Sequence, residues 1–184
     1  MRHQQQASRP RRPRTPLDPA TIRALALHYV GRYATTQARL RQYLERKLRE
    51  RGWAESTPEP ALEQLVNEFA KLGYVDDDAF AAARVTSLLR RGFGENRLNA
   101  ALRQAGIAAD KAEMAARLDH DSAQGAAMAF ARRKRLGPFG APLLEAKARS
   151  RALAAFLRAG HSYEVAREIL ALADDGSVFR DFYG

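Results

Sequence analysis

Three consecutive aspartates, Asp76, Asp77 and Asp78, are the residues whose type and spacing most resemble a metal site, because carboxylate oxygens are preferred ligands of Mg²⁺. Adjacent residues on a helix diverge by about 100°, so the three side chains cannot all face one ion. The alternative is a helix start, since an aspartate caps the first turn and carboxylates are favoured at the positive end of the helix dipole. We favour the cap and predict no metal.

Other residue types that carry chemistry lack the spacing of an active site. The four histidines are scattered, and none is paired at i, i+4 with another histidine or a glutamate. We expect a surface or half-buried position for each of them: His3, His28, His120 and His161. Gly92-Phe93-Gly94 lacks the third glycine and the preceding strand of a dinucleotide fold, and there is no cysteine nucleophile. We predict that the protein is not an enzyme and needs no cofactor.

Basic side chains give a stronger signal. The 184 residues carry 31 Lys plus Arg against 21 Asp plus Glu, a net charge of +10 that favours polyanions such as DNA. Half of that charge lies in residues 1–14, in a Pro- and Gln-rich segment with five arginines and no acid, which is typical of a disordered tail. The side chains predicted to contact a protein partner or DNA are Arg39, Arg46, Arg90, Arg91, Arg97, Arg132, Arg133, Lys134 and Arg135.

Solvated helix faces are the alternative explanation of these basic clusters, but each third of the chain has its own cluster, which favours a track for phosphates. Few aromatic residues that look exposed accompany the clusters, so phosphate contact is indicated and base stacking is not. Residues 59–78 hold six acids and only Lys71, which predicts an acidic surface around one helix. The charge distribution is therefore predicted to be bipolar.

Helix start and stop signals show which elements position these side chains. Leu17-Asp18-Pro19 predicts a cap followed by a first-turn proline, with Ile22 placed to meet Leu17. Gly73 is expected at φ > 0 after a helix end, with Tyr74 folding back toward Phe69. The predicted helices are 19–33, Thr35 or Thr36 to 51, Thr57-Pro58 to Gly73, 76–91, 95–105, 110–118, 122–135, 142–159 and 163–173. No strand is predicted, and aromatic residues make up only 8%.

Three-residue and four-residue steps of apolar residues predict one buried face on each of the first three helices. The predicted faces are Ile22, Leu25, Ala26, Tyr29 and Tyr33; Leu40, Tyr43, Leu44 and Leu48; and Leu62, Leu65, Val66, Phe69 and Leu72.

An internal repeat organises the helices. Arg32–Leu44, Arg90–Leu102 and Arg158–Leu170 align without gaps, each with a small residue four positions after the arginine. Two further four-residue steps, to Leu98 and Leu102 in the second segment, mark one face of a helix, and both leucines are predicted core positions. The predicted fold is all-α, an elongated, curved array of three tandem three-helix repeats. The predicted bounds are 1–16 for the basic tail, 17–75, 76–120 and 121–175 for the repeats, and 176–184 for a C-terminal tail.

A family resemblance appears in the middle of the chain. Its residues are Gly73-Tyr74-Val75-Asp76-Asp77, Phe80-Ala81, Gly94, Arg97-Leu98, Leu102 and Gly106-Ile107. This pattern resembles the signature of the RecX family of bacterial recombination regulators, and similar residues extend over about 20–175. The residues of the motif that are expected to have structural roles are Gly73, Tyr74, Asp76, Asp77, Gly94, Leu98 and Gly106.

The resemblance implies a protein that lies in the groove of the RecA filament and restrains filament growth, strand exchange and coprotease activity. Single- or double-stranded DNA is then expected as a second partner, through phosphate contacts with weak sequence preference. A RecA-independent helix-turn-helix DNA-binding protein is the alternative, and a helical scaffold is a third possibility. We expect a cytoplasmic protein, since no run approaches the ~18 apolar residues of a membrane helix and the N-terminus lacks a signal-peptide core. We also expect a monomer.

Overall fold

Helices are the regular secondary structure of this protein. A computed structural model describes residues 15–55, 58, 60–141 and 145–172, and within these ranges it contains no β-strand, only an isolated bridge between Leu17 and Trp53. The described part of the chain also has one 3-10 turn, Gly137–Phe139, which was not predicted. The α-helices in the described ranges are α1 Pro19–Arg32, α2 Gln37–Arg51, α3 Leu62–Lys71, α4 Asp77–Arg90, α5 Glu95–Gln104, α6 Ala109–Ala116, α7 His120–Lys134, α8 Ala146–Arg158 and α9 Tyr163–Ala171.

Local capping explains where several helices begin. The Asp18 carboxylate accepts from Thr21 N at 2.7 Å, the Thr36 hydroxyl accepts from Arg39 N at 3.2 Å, and Asp76 accepts from the amides of the first turn of α4. These three predicted caps are confirmed. Helix α3 begins at Leu62 rather than after Pro58, and its cap, Ala61, offers no side-chain acceptor. Thr57 and the predicted start of α8 at 142 lie outside the described residues, as do both predicted tails apart from 15–16.

The described residues form three separate hydrophobic cores. The first core lies among α1, α2 and α3 around Leu40, Leu44 and Phe69. The second lies among α4, α5 and α6, and includes Leu98 and Leu102, which are fully buried as predicted. The third lies among α7, α8 and α9 around Phe156, Ala166 and Ile169, while Phe93 packs against both the second and the third core.

Two residues predicted to be buried are exposed. Tyr33 keeps 50% of its surface because it follows α1 in an extended conformation, with φ −131°, and so leaves the buried stripe. Leu72 keeps 56% because it follows α3, in the turn that leads to Gly73. Helical periodicity ends with the helix, so residues at its boundary do not follow the stripe.

Candidate functional site

The segment from Gly73 to Asp77 joins the first core to the second. Gly73 has φ +75°, as predicted, and Tyr74 N donates to Phe69 O at 3.0 Å while the two rings lie 5.4 Å apart. The neighbouring carboxylate, Asp77, accepts from Gln37 N at 2.9 Å, 40 residues away at the start of α2. The motif therefore ends one helix, caps the next and ties it back to α2.

A second contact also links the first core to the second, and we call these links the joint between the two cores. The Thr36 hydroxyl donates to Ala105 O at 2.5 Å, from the start of α2 to the end of α5, and Thr36 is fully buried. Gly106 has φ +83°, and a Cβ there would overlap the Ala38 side chain. Gly106 therefore permits the close approach of α2, and no local signal in the sequence indicates that its neighbour is Ala38.

The second and third cores meet through backbone atoms. Gly94 N donates to Ala159 O at 3.0 Å, and Asn96 N donates to Gly160 O at 3.1 Å. A Cβ on Gly94 would collide with the Gly160 backbone, and one on Gly160 would collide with the backbone of Arg97. Glycine at these two positions thus lets α5 begin against the end of α8.

His161 supports the same joint. It is 3% exposed, so the prediction of a surface or half-buried position was wrong for this histidine. Its ring lies 5.6 Å from both Phe130 and Phe156, and Nε2 donates to Gly92 O at 3.2 Å, because a carbonyl can only accept. Burial lowers the pKa of His161, while the bond to Gly92 opposes the shift. The neutral ring therefore fits this site.

The predicted acidic surface is largely occupied by internal contacts. Glu68 makes two bonds with Arg23, of 2.7 and 2.5 Å, and the hydrogen bond from Arg23 lowers the pKa of Glu68. Asp78 lies 3.4 Å from Lys111, and Asp76 and Asp77 are held as described above. Glu63 is exposed on α3, and Glu59 lies outside the described residues. Most of these carboxylates are therefore engaged in internal contacts and do not form a free acidic face.

Arginines and phenylalanines gather where α4 and α7 approach each other. The guanidinium of Arg91 lies 5.2 Å from the centre of the Phe93 ring, and that of Arg133 lies 5.5 Å from the same ring. Arg133 also donates to Arg91 O. Two residues from different predicted clusters thus share one aromatic support, which orients both cations toward the surface.

A groove of about 660 Å³ continues from this cluster across the third core. Its floor is made of alanines of α8 with Phe93 and Phe130, and its cations are Arg133, Lys134, Arg151 and Arg158. The last two were outside the predicted contact set. They lie seven residues apart on α8 and therefore share one helix face, and this spacing could have identified them from the sequence.

The remaining predicted contact residues are spread over the surface. Arg39, half-buried, lies 5.4 Å from the Phe80 ring, and Arg46 lies 5.6 Å from the Tyr43 ring with Glu50 at 3.7 Å. Arg132 lies 5.1 Å from the Phe139 ring. Lys134 lines the groove described above, and Arg90, Arg97 and Arg135 are exposed. The structure therefore brings together Arg91, Arg133 and Lys134, and leaves Arg39 and Arg46 on the first core.

Among the residues described, no group of three or more His, Asp or Glu side chains is placed to hold a metal ion. Within the same ranges, no helix has the length and apolar character needed to cross a membrane.

Similar proteins carry one family name. The family model described as the second three-helix domain of RecX matches residues 76–115. The regulatory protein RecX of Myxococcus xanthus strain DK1622 is 33% identical over 168 residues, which cover 88% of this chain and 89% of that protein. The regulatory protein RecX of Agrobacterium fabrum strain C58 is 28% identical over 155 residues, covering 82% of each chain.

Solved structures show the same fold. The crystal structure of RecX from Lactobacillus salivarius superposes with a TM-score of 0.62 at 19% identity, over 84% of this chain and 96% of that one. A second crystal structure, of a regulatory protein RecX, gives a TM-score of 0.56 at 21% identity, over 84% and 78% of the two chains. The predicted all-α fold of tandem three-helix repeats is confirmed by this likeness.

Proposed function

The chain belongs to the RecX family, and from that membership we propose that it is a regulatory protein that binds the RecA nucleoprotein filament and restrains RecA activity. The observation that carries the proposal is the 33% identity to a regulatory protein RecX over most of both chains. We propose that it acts by contact alone in the cytoplasm, as a monomer, without a catalytic step or a cofactor.

Exposed cations support contact with the filament and its DNA. Three exposed arginines lie on or beside the helices that enclose the second core: Arg90, Arg91 and Arg97. None of them forms an ion pair within the described part of the chain. An arginine without a carboxylate partner keeps its charge and its planar set of donors for a phosphate or an acidic side chain. These three residues are therefore the proposed central contact.

The test compares this contact with the N-terminal segment. The triple variant Arg90→Ala, Arg91→Ala and Arg97→Ala should weaken inhibition of RecA-driven ATP hydrolysis and strand exchange, because it removes three exposed charges from the helices around the second core. Deletion of residues 1–14 removes five charges and should cost less. The sequence predicts a disordered tail there, and charges without a fixed position are screened beyond ~10 Å at ~0.1 M salt.

A matched control removes three other exposed cations of the second core: Arg103, Lys111 and Arg117. It should inhibit as the wild type does, and circular dichroism should show that every variant keeps its helices. If the deletion abolishes inhibition while the central triple variant inhibits normally, the central contact is the wrong site.

A pull-down distinguishes the alternative function. RecA should retain the protein when single-stranded DNA and a non-hydrolysable nucleotide are present. Retention on DNA alone, with no additional retention by RecA, would favour the RecA-independent DNA-binding protein.

A further inference from the structure

A groove of about 580 Å³ lies between the first and second cores, bounded by the end of α1, the start of α2 and one face of α4. We call it the inter-core groove. The lining residues that matter here are Tyr33, Thr35, Arg39, Tyr74, Phe80 and Arg84.

Two tyrosines stand half-exposed at this groove. Tyr33 is 50% exposed and Tyr74 is 52% exposed. Each ring is supported by an aromatic neighbour in the first core, with 5.3 Å between the centres of Tyr33 and Tyr29 and 5.4 Å between those of Tyr74 and Phe69. Such supported rings are held in place before a ligand arrives, so little conformational freedom is lost on stacking.

Two guanidinium groups in the groove have no carboxylate partner. Arg39 lies 5.4 Å from the Phe80 ring and Arg84 is exposed on α4, and neither forms an ion pair with a described residue. Asp76 also lines the groove, but its Oδ1 accepts from Asp78 N and Ala79 N at 3.0 and 2.9 Å. The two cations therefore remain available to an anionic ligand.

A buried hydroxyl in the groove also lacks a partner. Thr35 is 6% exposed, and its Oγ1 makes no hydrogen bond within the described structure. This oxygen exposes less than 1 Å² of surface, so it offers no direct contact to a ligand. What the groove offers is a combination of aromatic surfaces and cations.

We propose that the inter-core groove takes one nucleotide of single-stranded DNA, with its base against the rings of Tyr33 and Tyr74 and its phosphate at Arg39 and Arg84. An acidic peptide could use the same cations, but it has no need of two supported aromatic surfaces, whereas every base has a π-face. Duplex DNA keeps its bases stacked inside, so the single strand is the form that fits. The inference rests on the DNA contact included in the proposed function.

A neighbouring depression gives the strand a path. It measures about 390 Å³, shares Arg39 with the inter-core groove, and carries Arg49 beside Tyr43, together with Glu45 and with Arg46, which pairs with Glu50. Cations on both sides of Arg39 can follow successive phosphates along the strand. Base stacking was not indicated by the sequence because Tyr33 was assigned to the core.

The test compares a labelled oligo(dT) with an abasic oligonucleotide of equal length, using fluorescence anisotropy at fixed salt. The wild type should bind oligo(dT) at least about fivefold more tightly, since the two share phosphates and differ only in bases. The double variant Tyr33→Leu, Tyr74→Leu should lose this preference and keep its affinity for the abasic strand. Tyr33→Phe with Tyr74→Phe keeps both rings and should keep the preference.

Two further variants complete the design. Tyr163→Leu removes an equally exposed tyrosine, 51%, from the start of α9, and should leave the preference unchanged. Arg39→Gln with Arg84→Gln should weaken binding of both strands and reduce the salt dependence. Circular dichroism checks that each variant is folded.

The inference is overturned by equal affinity of the wild type for the two strands, by no binding of either strand, or by a preference that survives the leucine double variant. If that variant loses retention by RecA while its DNA binding is unchanged, the groove is a protein-binding surface and the inference also fails. The RecA pull-down with the wild type reports on the proposed function separately, because it does not depend on the base preference.

Discussion

Gly73 shows what one residue contributes through its backbone alone. Its φ is +75°, and no atom lies within 4 Å of the position that a Cβ would occupy. A side chain there would meet open space, so any loss of stability comes from the left-handed conformation and not from a collision. A substitution at Gly73 therefore measures backbone strain without a change in packing, at a position that joins two cores.

We predict that Gly73→Val lowers the free energy of unfolding by on the order of 1 kcal/mol or more, because a β-branched residue is strained at positive φ. Gly73→Asn should cost less, since asparagine tolerates this region. Urea denaturation measures the loss for both variants.

Gly125→Ala is the control. Gly125 lies inside α7 with nothing within 4 Å of a Cβ, so alanine should raise the free energy of unfolding by roughly 0.5–1 kcal/mol. Equal losses for valine and asparagine would contradict the strain argument.

At the scale of elements, the turn between α8 and α9 is linked to the end of α4 through His161. Burial places its pKa in the folded state below the ordinary value of 6.5. The unfolded chain therefore binds more protons than the folded chain as the pH falls below that value. The stability contributed by the neutral ring is present above about pH 6.5 and is lost as the pH falls toward the folded-state pKa.

We predict that the melting temperature of the wild type falls between pH 7.5 and pH 5.5, and that His161→Phe flattens this part of the profile. Phenylalanine keeps the contacts with Phe130 and Phe156 but cannot be protonated. The variant should also lose some stability at pH 7.5, because the bond to Gly92 O is removed. His120→Phe, an exposed histidine at the start of α7, should leave the slope as it is. Parallel profiles for wild type and His161→Phe would exclude His161 as the cause.

At the scale of the whole molecule, the cores are coupled through narrow joints. Gly94 has φ −86°, which any residue adopts, so alanine there causes no backbone strain but collides with the Gly160 backbone. The joint between the second and third cores can therefore be disturbed without altering the first core. The only tryptophan, Trp53, packs against the first core and reports on it alone.

We predict that Gly94→Ala lowers and broadens the thermal transition followed by far-ultraviolet circular dichroism, which reports on all helices. The midpoint followed by Trp53 fluorescence should change little, since the first core keeps its own contacts. Gly31→Ala, in α1 with open space around it, should lower neither midpoint. Equal shifts of both probes for Gly94→Ala would mean that the three cores unfold as one cooperative unit.

Local signals in the sequence were sufficient for most of the helices, although α3 begins at Leu62 and not after Pro58. Asp18, Thr36 and Asp76 cap the helices that were predicted, because a cap bonds an amide two or three residues away. Leu98 and Leu102 were placed in the core by a four-residue step alone. The motif around Gly73 also indicated the family, and the 33% identity to the RecX protein of Myxococcus xanthus shows the same family.

Only the tertiary structure decided which residues meet across the joints and which remain open to a partner. The bonds from Gln37 to Asp77 and from Thr36 to Ala105 join residues 40 and 69 positions apart, and no local preference encodes such a distance. The same holds for the exposure of Tyr33, which depends on the backbone leaving the helix at its last turn. A sequence pattern fixes the face of a helix, whereas the neighbours of that face follow from how separate helices pack.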